Sequence, residues 1–115
     1  IMTNSEVNMS ISIQDFSEID LRVAVITAAE EHPNADKLLV LRVDAGDGEK
    51  QLVAGIKGHY STEELIGRKI VVVNNLAPAV LRGVESQGML LAARDGDQVV
   101  LLTTEKDVGP GSRVQ

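Results

Sequence analysis

Ser61-Thr62-Glu63-Glu64 restricts the fold more than any other segment, because it is the one strong helix start in a chain otherwise built from short apolar runs. Serine three places before glutamate is the capping-box spacing, in which each side chain satisfies a backbone amide that the first helical turn leaves orphaned. Leu65 and Ile66 follow and Gly67 stops the segment, so one short helix is predicted there. The flanking segments follow a period of two instead. Leu21 to Ala29 is predicted as a strand, with Leu21-Val23-Val25 alternating and Val23, Val25 and Ile26 branched. Lys37 to Asp44 and Lys50 to Ala54 make the second and third strands, with Asp47-Gly48 as the hairpin signal between them. Lys69 to Val73 is the fourth, Met89 to Ala93 the fifth, and Asp95-Gly96 turns the chain toward a partner at Val99 to Leu102. An all-β, five-stranded Greek-key barrel with one short helix between strands 3 and 4 fits this order better than a two-sheet sandwich.

Outside the barrel pattern, Gln14 to Glu18 is predicted as one helical turn anchored by Phe16 and Ile19, and Pro110 and Gly111 end the regular pattern. Residues 1–10 are polar and short of core formers, and they read as a disordered leader or linker remnant. Residues 11–115 then form a single domain, as a length of 115 residues suggests. Asn74 to Gln87 is too long for a tight turn and too rich in proline and glycine for a helix, which makes it a wide functional loop with some local pairing.

Composition removes several function classes. Cysteine is absent, so neither a disulfide framework nor a thiolate zinc site can form. Phe16 and Tyr60 are the only aromatic residues, too few for a platform on which successive bases stack. A net charge of −6 argues against coating nucleic acid by bulk charge. The acid is nevertheless concentrated outside the middle: Asp36 to Arg94 holds eight basic and seven acidic residues. No run approaches the roughly 20 apolar residues of a membrane helix, and no signal-peptide order opens the chain, so a soluble cytoplasmic protein without membrane contact is expected.

Catalysis finds no support in local signatures. His32 and His59 are the only histidines, neither sits in a nucleophile motif, and both read as loop or surface residues. Asp44-Ala45-Gly46-Asp47-Gly48-Glu49 lacks the alternating carboxylates and the length of a calcium loop, and no Gly-x-x-x-x-Gly-Lys phosphate loop is present. No catalytic residue, metal or cofactor is therefore assigned.

Binding candidates are better placed. Lys37 ends the turn Asn34-Ala35-Asp36-Lys37 behind Pro33, where a cation on a stiff loop can meet phosphate with little ordering cost, while Asn34 is equally suited to closing the turn. Asn75 can read a base edge or form a turn. Arg82, between Leu81 and Gly83, offers a planar permanent cation, with Ser86 and Gln87 as polar neighbours. Arg42 adds charge from the second strand. Met89 is polarizable enough to pack on a base, although periodicity alone puts it in the core.

Ile19-Asp20-Leu21-Arg22-Val23, Asp36-Lys37-Leu38, Gly67-Arg68-Lys69, Asn75-Leu76, Gly83-Val84-Glu85-Ser86 and Gly88-Met89, in this order and spacing, resemble the tRNA-binding domain family. These are the oligonucleotide-binding folds (OB-folds) attached to bacterial methionyl-tRNA synthetase or found free. The resemblance implies an OB-fold with extra terminal segments that dimerises through the stretch before Leu21 and the strands after Gly88. It further implies recognition of tRNA by shape near the outer corner of the L, and service to a synthetase's catalytic body by tethering. Ser86 and Met89 match the family's Ser-x-x-Met element, implicated in tRNA contact. The nucleic-acid set is thus Lys37, Asn75, Arg82, Ser86, Gln87, Met89, Asn34 and Arg42. Ala77, Ala79 and Val80 depart from relatives that carry bases around Pro78, which leaves room for an alternative: a protein-interaction, dimerisation or chaperone-like peptide-binding module of the same fold with weak RNA binding.

Overall fold

A computed structural model describes residues 9–115; the first eight residues of the expected leader lie outside the described residues. The elements run α1 (Ile13–Ser17), β1 (Leu21–Glu31), β2 (Leu39–Asp44), β3 (Glu49–Ala54), α2 (Thr62–Leu65), β4 (Lys69–Val73), β5 (Ala79–Leu81), β6 (Val84–Ser86), β7 (Met89–Leu90), β8 (Ala92–Asp95), β9 (Gln98–Leu101) and β10 (Arg113–Val114). The main sheet is antiparallel in the order β3-β2-β1-β4-β7, and it curls until β3 meets the β6–β7 segment, giving a nearly closed five-strand barrel of OB type. Among the described residues, no helix is long and apolar enough to cross a membrane.

Period-two patterning explains which faces fill the barrel. On β2 and β3 the facing pairs Leu39 with Ala54 and Leu41 with Leu52 point inward, while Val40 with Val53 and Arg42 with Gln51 point outward. Ala24, Ile26, Val43, Ala45, Ile56, Leu65, Ile70, Val72 and Leu101 complete the core. Burying each Leu, Ile or Val here contributes roughly 1.5–3 kcal/mol. β4 breaks the alternation, with Ile70, Val71, Val72 and Val73 all buried. Its outer face is covered as well: Val71 and Val73 join Leu21 in a second cluster against Leu91 and Val114.

The capping box at Ser61 forms as the spacing requires. The Glu64 amide donates to Ser61 Oγ, and the Ser61 amide donates to Glu64 Oε2 at 2.7 Å. Leu65 is fully buried beneath it, whereas Ile66 is half exposed.

Four sequence expectations change. β1 continues to Glu31, because the start of β2 extends its ladder to the pair Glu31 with Leu39. The expected fifth strand splits: Met89 and Leu90 pair with β4, and Ala92 to Asp95 leave the barrel to form a separate hairpin with β9. Pro110 and Gly111 do not end the structure, since β10 returns to pair with Leu21 and Arg22. That return is possible because Gly46 and Gly111 touch backbone to backbone, and a Cβ on Gly46 would stand 2.7 Å from the Gly111 Cα. Finally, Phe16 and Ile19 anchor α1 poorly, both remaining more than a third exposed.

Candidate nucleic-acid interface

The wide loop after β4 folds back as the short hairpin β5–β6, whose tip is Arg82-Gly83. Both tip residues have positive φ, 54° and 88°, as a two-residue turn twisted to match its strands needs. Glycine accepts this freely, but an L-residue such as arginine is strained there by roughly 1–2 kcal/mol.

The loop between β1 and β2 holds that tip in place. His32 Nε2 lies 2.9 Å from the Leu81 carbonyl, and the Asn34 amide donates to His32 Nδ1 at 2.9 Å. Asn34 Nδ2 donates to the Arg82 carbonyl at 3.3 Å, and the Arg82 guanidinium reaches back to the Asn34 carbonyl at 3.5 Å. Asn34 and Arg82, 48 positions apart, are therefore neighbours. Lys37 is exposed in the same loop, and among the described residues it has no ion-pair partner.

Ser86 and Gln87 serve the barrel itself. Ser86 is 5% exposed; its Oγ accepts from the Val53 amide at 3.0 Å and donates to the Gly88 carbonyl at 2.9 Å. Gln87 Oε1 accepts from the Gln51 amide and the Gln87 amide donates to the Gln51 carbonyl, both at 2.8 Å. Gln51 Nε2 adds a bond to the Glu85 carbonyl. These groups take the place of a ladder along the free edge of β3. Gly88 completes the seam, because a Cβ there would come within 2.9 Å of the Val73 carbonyl oxygen and 3.1 Å of Leu52.

Two hollows open on the outer wall. One, of about 270 Å³, is walled by Val53, Leu76, Leu81 and Met89 over the Ser86–Gly88 seam. Met89 is 47% exposed, so it lines this surface and does not fill the core. The other, about 150 Å³, lies beside the β1 irregularity between Ile26 and Ala28, with Glu30, Val40, Arg42 and Gln51 around it. Outward pairing of Val40 with Val53 and of Arg42 with Gln51 makes the two hollows parts of one face.

Asn75, next to Leu76 of the first hollow, has its side-chain amide engaged by the chain before β1. Its Oδ1 accepts from the Asp20 amide at 2.9 Å and its Nδ2 donates to the Glu18 carbonyl at 2.7 Å, tying the fourth strand's exit to α1. Next to it the Arg22 guanidinium bonds Asp20 at 2.6 Å and holds that carboxyl below the usual carboxylate range, against partial desolvation and with help from Asn74. Lys50 is engaged by the Asn74 carbonyl and Oδ1, and Lys57 by Glu31. Lys37, Arg42 and Arg82 thus remain the cations of the wall and its loops without a carboxylate partner among the described residues.

His32, expected as a loop or surface residue, is buried, and Gln51 carries no signal in the sequence. Histidine before Pro33 offered a signal only in hindsight of its partner, 49 positions away; it is 5% exposed and sits in the interior. No group of three or more potential metal ligands occurs among the described residues.

A family model described as "Putative tRNA binding domain" matches residues 21–113. A methionine–tRNA ligase from Methanococcus aeolicus is 59% identical over 111 residues, which takes in 96% of this chain and 16% of that enzyme. Among solved structures, a MetRS-related protein from Pyrococcus horikoshii gives a TM-score of 0.86 at 36% identity, covering 92% of this chain and 98% of the other. The chaperone CsaA from Bacillus anthracis gives 0.83 at 33% identity, covering 92% and 99%. The chain spans 14% to 18% of the length of the first curated relatives it matches.

Proposed function

From the premise that this chain belongs to the tRNA-binding domain family, we propose that it is a non-catalytic module that holds tRNA by shape, in the manner of a C-terminal domain of methionyl-tRNA synthetase or a free-standing counterpart. The observation that carries this reading is the joint between the Asn34 loop and the Arg82 hairpin. It presents Lys37 and Arg82 from two bonded segments beside a wall that also carries Arg42 and two shallow hollows. Folded RNA displays phosphates and unstacked loop bases, and such a surface suits both. Within the candidate set, Lys37, Arg42, Arg82 and Met89 touch the nucleic acid, while Ser86, Gln87 and Asn34 shape the surface. Asn75 braces the chain before β1 beside the Leu76 wall of the first hollow.

Three or four neutralised phosphates would give a salt slope of about −2 to −3. Binding by the module alone is then weak, and it gains from being tethered to a catalytic body in the cytoplasm, where the link raises effective concentration. The module is a homodimer in this reading. Supporting that, Ile13, Phe16 and Ile19 leave apolar surface exposed beside Arg113 and Val114 of β10, uncovered among the described residues.

Titration of labelled tRNA with wild type and a K37A/R82A variant at two salt concentrations tests the proposal. Weaker binding and a shallower slope in the variant are expected; equal binding by the two proteins rejects the site. Sedimentation over a range of concentrations tests the dimer, which a concentration-independent monomer rules out.

A further inference from the structure

We infer that His32 is a positioning residue of the tRNA-binding face, the latch that fixes the Lys37 loop and the Arg82 hairpin in one arrangement. The inference rests on the tRNA-binding reading above and deepens it. At 5% exposure the residue has almost no surface to offer RNA, so its effect on binding passes through what it holds.

Its partners fix its chemistry. The Asn34 amide can only donate, so Nδ1, 2.9 Å away, carries the lone pair. The Leu81 carbonyl can only accept, so Nε2, also 2.9 Å away, carries the proton. One imidazole in one tautomer thereby joins two segments whose other hydrogen bonds, among the described residues, are that of the Asn34 side chain and the long Arg82 contact. The neck of the loop closes at the same residue, whose amide donates to the Leu38 carbonyl. Consecutive carbonyls at the hairpin tip, Leu81 and Arg82, accept from the loop, and this holds the strained φ of 54° that aims the guanidinium. Without the latch, loop and hairpin move separately, and binding must order them first.

The test uses substitutions that divide the two bonds. A glutamine amide nitrogen reaches the position of Nε2, so H32Q keeps the bond to Leu81; an asparagine oxygen reaches that of Nδ1, so H32N keeps only the bond within the loop. Labelled tRNA is titrated with wild type, H32Q, H32N, R82A and H32N/R82A, with urea midpoints measured alongside. H32N is expected to bind about three- to tenfold more weakly than wild type and H32Q within about twofold. In the R82A background the H32N loss should shrink below about twofold, because the two residues act as one unit. Nitrogen-15 spectra of the imidazole should place the proton on Nε2.

The latch is overturned if H32N binds like wild type, if H32Q and H32N lose binding alike, if the H32N loss is unchanged without Arg82, or if Nδ1 carries the proton. Should R82A weaken binding while H32N does not, the latch alone fails. If wild type does not bind tRNA, the tRNA-binding reading fails and the latch with it; if R82A binds as wild type does, the latch fails.

Discussion

The backbone amide of Val53 donates across the barrel seam to the hydroxyl of Ser86 at 3.0 Å, a bond that a neighbouring strand would ordinarily supply from its own backbone. Both partners are buried. Replacing Ser86 by alanine leaves that amide without an acceptor and the Gly88 carbonyl without its donor. A loss of about 1–3 kcal/mol in urea unfolding is expected, the usual cost of an orphaned buried polar group. tRNA affinity, measured where both proteins are folded, should change less than it does in R82A.

Arg42 gives the complementary case. It is exposed on β2 with no ion-pair partner among the described residues, so R42A should leave the urea midpoint within about 0.5 kcal/mol of wild type. Its contribution should instead be read in salt titrations of tRNA binding, where losing one phosphate contact lowers the slope by about 0.7.

Asn75 braces α1 through two bonds to the chain just before β1, at the Asp20 amide and the Glu18 carbonyl. N75A should raise the hydrogen-exchange rate of the Asp20 amide and cost about 1–2 kcal/mol. Because the same brace orients the exposed apolar side of α1, the variant should also weaken the proposed homodimer, read as a sedimentation shift toward monomer at low concentration.

Acid stability follows from Asp20. Its carboxyl is held below the ordinary range chiefly by the hydrogen bond from Arg22, so the folded state binds the proton less readily than the unfolded chain. That contribution is present above the unfolded value, about 4, and fades as pH falls through the lower folded value. D20N should therefore be less stable than wild type near neutral pH, and the difference should narrow below about pH 4 in urea midpoints measured against pH.

Legibility in the sequence followed the range of the interaction. β4 was read to the residue because Lys69 to Val73 is an unbroken branched run between Gly67 and Asn74, and the α2 cap was read because both its partners lie within four positions. The β5–β6 hairpin was seen only as local pairing inside a loop, since its turn begins with an arginine held at positive φ by the distant Asn34 loop. β10 was missed because Pro110 and Gly111 are stop signals until the backbone of Gly46 is known to lie against Gly111. The site divides in the same way. Lys37 and Arg82 are legible as candidates from charge and turn position, and Arg42 from charge alone. Ser86, Gln87 and Asn75 were singled out for polarity, but their bonds run to Val53, Gln51 and Asp20, and neither spacing nor propensity reports such contacts.

The side-chain seam along β3 also bears on how molecules of this protein treat one another in a crowded solution. Leu52, Val53 and Ala54 make the end of β3 apolar, and its bare edge would template pairing with any loose strand nearby. Ser86 and the side chain and backbone of Gln87 occupy the Gln51 and Val53 groups that such an intruder would need. Two polar side chains thus act as a guard against edge-to-edge aggregation.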